Sequence, residues 1–183
     1  MPGSGRTTTV ISLAHSLKRH MSDAPIYYIG GRRSPALQDE VWTQAVRRAE
    51  DITTLLGELQ PRLDTPVEEG QPLTLMIEAI GDLAGGEHEL ALAAAVRAAK
   101  RNGHLIIAES ETPTWTTMSS TLSEIRASRR GIVLQPAQED GASVLRVGFP
   151  RLRTADFPPG RGMYVSSGTI TTVQIPFPFT STD

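Results

Sequence analysis

Four short apolar runs constrain what this chain can fold into: IYYI at 26–29, LTLMI at 73–77, HLIIA at 104–108 and GIVLQ at 131–135. Each is almost unbroken in apolar residues, as in strands covered on both faces by helices. Segments of helical periodicity separate them. Residues 6–20 bring Val10, Leu13, Ala14 and Leu17 to one face, starting after glycines and ending in basic residues, which suits the helix dipole. Residues 39–63 repeat the pattern with Val41, Ala45, Ile52, Leu55, Leu56 and Leu59, and Asp39 stands as the N-cap. A third helix is expected over 87–101, stopped by Asn102-Gly103. A fourth is expected to reach 129, capped by Ser119 or Ser120, or by Thr121 in a capping box with Glu124.

After 131–135 the pattern changes. Strands are expected at 143–147, 162–166 and 169–175 with no helix between them, and the tail PFPFTSTD is expected to fray. Helices alternating with buried strands predict an α/β fold on a mainly parallel sheet. The late strands predict an antiparallel extension at one edge. No repeat or linker divides the chain, so residues 1–183 read as one domain.

Several classes are excluded. Without cysteine there are no disulfides and no thiolate metal sites. No apolar run reaches the roughly 20 residues that span a bilayer. TTTVISLAHSLKRH is too polar for a signal-peptide core, so the expected compartment is the cytoplasm. The four histidines (His15, His20, His88, His104) have no ligand spacing, and no G-x-S-x-G follows a strand. Net charge is −2, yet seven arginines (126, 129, 130, 146, 151, 153, 161) lie between 126 and 161 against Glu139, Asp140 and Asp156. Such a stretch is either a solvated face or a phosphate-attracting one.

In a parallel sheet, ligands bind beyond the carboxyl ends of the strands. GSGRTT, EAIGD and AESET all fall there. In GSGRTT, glycines let successive N–H groups face an anion at a helix N-terminus, although an ordinary Gly/Ser turn has the same composition. LTLMIEAIGDL has the layout of a strand ending in the acids that hold Mg²⁺ and orient water, but the pair is Glu78 and Ala79. Alanine can do neither, and Glu78 is equally readable as the solvated end of an ordinary strand. Asp82 lies one turn on. Ser110 would end the next strand near a terminal phosphate, and is equally readable as a plain strand-end turn.

PGSGRTT, YYIGGRRSPALQDEVW, LTLMIEAIGDL, NGHLIIAES, SEIRASRRGIVLQP and FPPGRGMYV, in that order, resemble the FtsK/SpoIIIE-type ATPases. The resemblance is closest to the C-terminal ATPase module of EccC/EssC, the type VII secretion motor, and covers nearly the whole chain. It implies a RecA-like P-loop NTPase fold of three layers. It assigns Gly3, Ser4, Gly5, Arg6, Thr7 and Thr8 to the Walker A positions and Glu78 and Ala79 to the Walker B pair. Ser110 takes the sensor position, Arg161 the PGRG arginine, and Thr7 with Glu78 would ligate Mg²⁺. Three departures weaken the motor: arginine for the Walker lysine, Glu for the metal acid and Ala for the catalytic acid.

The implied function is a degenerate module that binds ATP and Mg²⁺ weakly or not at all and serves substrate recognition or regulation. Its partners would be adjacent ATPase modules, in a possible ring, and small helical WXG-motif substrates. The resemblance also implies attachment to the cytoplasmic face of the membrane through segments outside these residues. The alternative is an active, FtsK-like DNA-translocating ATPase with the arginines on phosphates. The family's fold places a central strand ahead of the loop, before GSGRTT. That strand and the loop's leading glycine are missing from the sequence, which reads as an N-terminally truncated domain. Its two neighbours would be left with unpaired backbone groups.

Overall fold

A computed structural model describes residues 3–31 and 33–176, so the expectation for the last seven residues lies outside it. A helix at Arg6–His20 (α1) leads into a strand at Ile26–Ile29 (β1). Then come a strand at Gln44–Val46 (β2), a helix at Ala49–Leu63 (α2) and a strand at Thr74–Ile77 (β3). A helix at Glu89–Asn102 (α3), a strand at Leu105–Ala108 (β4) and a short helix at Ser120–Arg126 (α4) follow. The last strands are Gly131–Leu134 (β5), Arg161–Ser166 (β6) and Thr169–Gln174 (β7).

The first four strands form one parallel sheet in the order β2-β1-β3-β4. Side chains alternate across it. Tyr27, Ile29, Leu75 and Ile77 face Leu55, Leu59 and Leu63 of α2 and Leu92, Ala95 and Ala99 of α3. Ile26, Tyr28 and Met76 face Val10 and Ala14 of α1. All eight residues of β1 and β3 are buried, which explains their unbroken apolar runs.

Several expectations fail for identifiable reasons. The helix expected over 39–63 begins only at Ala49. Ahead of it, a 3-10 turn at Pro35–Gln38 and β2 put the chain on the sheet edge. Asp39 caps a turn by accepting from Val41 N–H at 3.0 Å. Trp42 stacks on Tyr28 with ring centroids 4.4 Å apart, and its indole N–H donates to the Ala36 carbonyl. Apolar spacing at 41 and 45 suits this edge as well as a helix, and a long-range ring contact decides between them.

The strand expected at 143–147 is a wide helical turn at Gly141–Leu145. Gly141 permits it, since a Cβ there would stand 2.5 Å from the Val147 carbonyl oxygen. The turn delivers Leu145 to Phe149, Phe157 and Met163.

The fourth helix ends at Arg126, short of 129. Its cap is Ser119, which accepts from Leu122 N–H. Glu124 forms no capping box: the Thr121 N–H goes to Glu89 at 3.0 Å, and Glu124 faces Lys100 instead.

Strands β5, β6 and β7 form a separate antiparallel sheet, not an extension of the parallel one. The two sheets face each other across an apolar cavity of about 730 Å³ lined by all four residues of β4 and all four of β5. Leu105 and Glu109 donate their N–H groups to β3. By alternation, Ile106 and Ala108 turn theirs to the cavity. Gln135 donates to Arg161, so Ile132 and Leu134 likewise turn away from β6. Among the described residues, no strand lies between these edges.

Candidate functional site

The carboxyl ends of β1, β3 and β4 meet the start of α1. Gly3 and Gly5 have φ of 84° and 91°, a left-handed backbone that glycine adopts without a Cβ clash. Gly5 leads into α1 without a side-chain cap, and its carbonyl accepts from both the N–H and the hydroxyl of Thr9, each at 2.8 Å. The Ser4 carbonyl accepts from Gly160 N–H at 3.3 Å. A Cβ on Gly5 would lie 3.4 Å from the Gly160 nitrogen, so the chain entering β6 closes over the loop.

Glu78 ends β3 and is only 9% exposed. Its Oε1 accepts the Thr7 hydroxyl at 2.6 Å. Its Oε2 accepts the Tyr28 hydroxyl at 2.8 Å and Gly31 N–H at 3.3 Å. Burial alone would raise this carboxyl's pKa. Hydrogen bonds from Ser34, Thr7, Tyr28 and Gly31 outweigh it and hold the group below its ordinary value. Burial and the neighbouring Glu78 push the Tyr28 hydroxyl far up, so it serves as a permanent donor.

Ala79 sits at φ 51°, a left-handed conformation rare outside glycine. Its N–H donates to Glu109 Oε1 at 2.7 Å. Glu109, just past β4, has its pKa raised, first by burial and also by Glu78 and Glu111, against the lowering from Ala79 N–H and Arg6. Arg6 bridges this acidic edge: its Nε is 3.4 Å from Glu109 Oε2, and Nη2 donates to Glu111 Oε1 at 3.3 Å.

Thus Gly3, Ser4, Gly5, Arg6 and Thr7 stand together with Glu78 and Ala79. Thr8 lies half-buried on α1, and its side chain makes no hydrogen bond among the described residues. Ser110 turns to Gly81, 3.3 Å from where a Cβ on that glycine would be. Arg161 is exposed and donates to the Asp156 carbonyl; its neighbour Gly160 is the residue that touches the loop. Asp82 is exposed. Tyr28, Gly31, Glu109, Glu111 and Gly160 were not singled out by sequence. For the two glutamates the signal was in view, because AESET places a carboxylate on each side of Ser110.

ATP with Mg²⁺ finds only part of what it needs here. The left-handed glycines at a helix N-terminus suit phosphate. The side chains suit it less. Thr7 and Glu78 are bonded to each other, and the Arg6 guanidinium already faces two carboxylates. No group of three or more histidine, aspartate or glutamate side chains is placed to hold a metal ion among the described residues. His104 is structural, accepting from Leu73 N–H and donating to the Thr65 carbonyl. Among the described residues no helix is long and apolar enough to cross a membrane.

A parallel sheet between two helical layers, with a glycine loop entering the first helix beside an acid at the end of β3, is the fold of a P-loop ATPase domain. In particular, the chain is similar to ATPases 2 and 3 of EssC from Geobacillus thermodenitrificans (TM-score 0.75, 16% identity, 97% of this chain and 36% of that one). It is also similar to the cytoplasmic domain of the type VII secretion ATPase EccC of Thermomonospora curvata (0.71, 16%, 98% and 23%). The pCW3 conjugation coupling protein TcpA, solved in its monomer form with ATPγS, is similar too (0.60, 16%, 97% and 58%). The chain therefore spans about a third of the EssC structure and a quarter of the EccC one. No protein-family model and no curated protein matches it.

Proposed function

We propose that this domain is a non-hydrolysing ATPase-fold module of a type VII secretion motor, acting beside other ATPase modules in substrate recognition or regulation. One observation carries the reading. The position that should aim the attacking water is Ala79, and the neighbouring acid, Glu78, is fully engaged by Thr7, Tyr28 and Gly31. Positioning and charge stabilisation supply most of the catalysis in phosphoryl transfer, so losing the water-orienting group costs orders of magnitude in turnover. Nucleotide binding is weak, because only the backbone of the loop remains free to hold phosphate. The likeness to EssC and EccC structures supports the motor context, and small helical WXG-motif proteins are the substrates it would recognise.

Three measurements on the full chain test this: steady-state phosphate release with ATP and Mg²⁺, the same with duplex DNA, and binding of a peptide from the carboxyl end of a WXG-motif substrate. Peptide binding without turnover is the expected result. Sustained phosphate release abolished by Glu78→Gln overturns the reading, and release stimulated by DNA replaces it with a DNA translocase.

A further inference from the structure

Arg6 is the only cation in GSGRTT, and its guanidinium already has two anions. Carboxylate and phosphate oxygens use the same fork of N–H donors, so they compete for it directly. The two glutamates are not equivalent. Glu111 is half-exposed and can swing into water. Glu109 is 15% exposed, and Ala79 N–H pins its Oε1 at 2.7 Å. Its Oε2 is buried with no hydrogen bond among the described residues, leaving Arg6 as its counter-ion.

We propose that Glu109, assisted by Glu111, is a built-in competitor for phosphate at this loop and sets its affinity for anions. The proposal rests on the reading of the loop as a weakened nucleotide site and names what weakens it. A phosphate that draws Arg6 away incurs two penalties. It leaves the Glu109 carboxylate buried without a counter-ion, and it brings a second anion beside it. Glu109 cannot retreat, because its other oxygen is held by the backbone at Ala79. Glu111 can, so its effect is smaller. These are positioning residues: they act on the ligand through Arg6.

Calorimetric titration of the full chain with inorganic pyrophosphate tests this. The variants are Glu109→Gln, Glu109→Asp and Glu111→Gln, with each Gln change repeated in an Arg6→Gln background. Glutamine keeps a carbonyl for Ala79 N–H, so the fold is preserved. Expected are about tenfold tighter binding for Glu109→Gln and about threefold for Glu111→Gln. Glu109→Asp keeps the charge and stays near wild type. Both gains vanish without Arg6. The proposal is overturned if Glu109→Gln binds no tighter than wild type, if the gain survives loss of Arg6, or if no variant binds measurably. Phosphate release is read separately. Turnover by the wild type defeats the functional reading, while the affinity ratios decide this one.

Discussion

The Thr7 hydroxyl donates to Glu78 Oε1 at 2.6 Å, joining two residues 71 positions apart. The bond ties the start of α1 to the end of β3. With Tyr28 on the other oxygen, the carboxylate acts as a bolt between α1, β1 and β3. That makes it a stabilising group whose loss is measurable apart from any ligand.

Tyr28→Phe keeps the ring stacked on Trp42 and removes one charge-assisted donor. It is expected to cost about 2 kcal/mol in urea unfolding at pH 7. Glu78's folded pKa lies below its unfolded value, so its contribution is present above the unfolded pKa and lost as pH falls through the folded one. The variant weakens that lowering. Its acid unfolding midpoint should therefore move up, and its deficit should shrink as the solution becomes acidic. An unchanged acid midpoint would show that Tyr28 does not hold the carboxylate.

Glu109 has the opposite sign. Its folded pKa is raised, so the charged form opposes folding above that pKa, and the opposition is absent below the unfolded value. Glu109→Gln is expected to raise the melting temperature at pH 7, with the gain declining as pH falls towards the ordinary carboxyl range. A gain independent of pH would remove the charge from the explanation.

Ala79 holds a left-handed backbone at φ 51°. Ala79→Gly relieves that strain at the cost of a more flexible unfolded chain. A net stabilisation of about 0.5–1 kcal/mol is expected from denaturant unfolding, since strain in the left-handed region outweighs the added entropy. A loss of stability would mean that the alanine methyl contributes packing that outweighs the relief.

The facing edges of β4 and β5 give a backbone prediction. Amides of Ile106, Ala108, Ile132 and Leu134 should exchange hydrogen about two orders of magnitude faster than those of Leu105, Ile107 and Val133, which are paired. Equal protection in exchange measured by NMR would mean that a backbone partner covers those edges.

Much of the architecture follows from local pattern. The runs at 26–29 and 73–77 have no polar face, so they fit the middle of a sheet, and α1 lies between the glycine turn and its basic end as its periodicity predicts. The stretch at 39–48 misled because spacing at 41 and 45 does not distinguish a helix from an edge strand. The stretch at 143–147 misled because Val and Leu favour strands only where a partner strand is within reach. In the site, the residue types of the loop and of the β3 end were legible, and so was the alanine at position 79.

What the chain determined by itself was its alternation of buried runs and amphipathic segments, and the absence of a carboxylate at position 79. These are properties of residue type and spacing, carried by neighbours along the chain. What only the tertiary structure decided was where each remaining charge finds its partner. Glu78 meets Thr7 and Tyr28, and Arg6 meets Glu109 and Glu111. Ion pairs and hydrogen bonds depend on separations of a few ångströms, and only the folded backbone brings residues 71 and 105 positions apart that close.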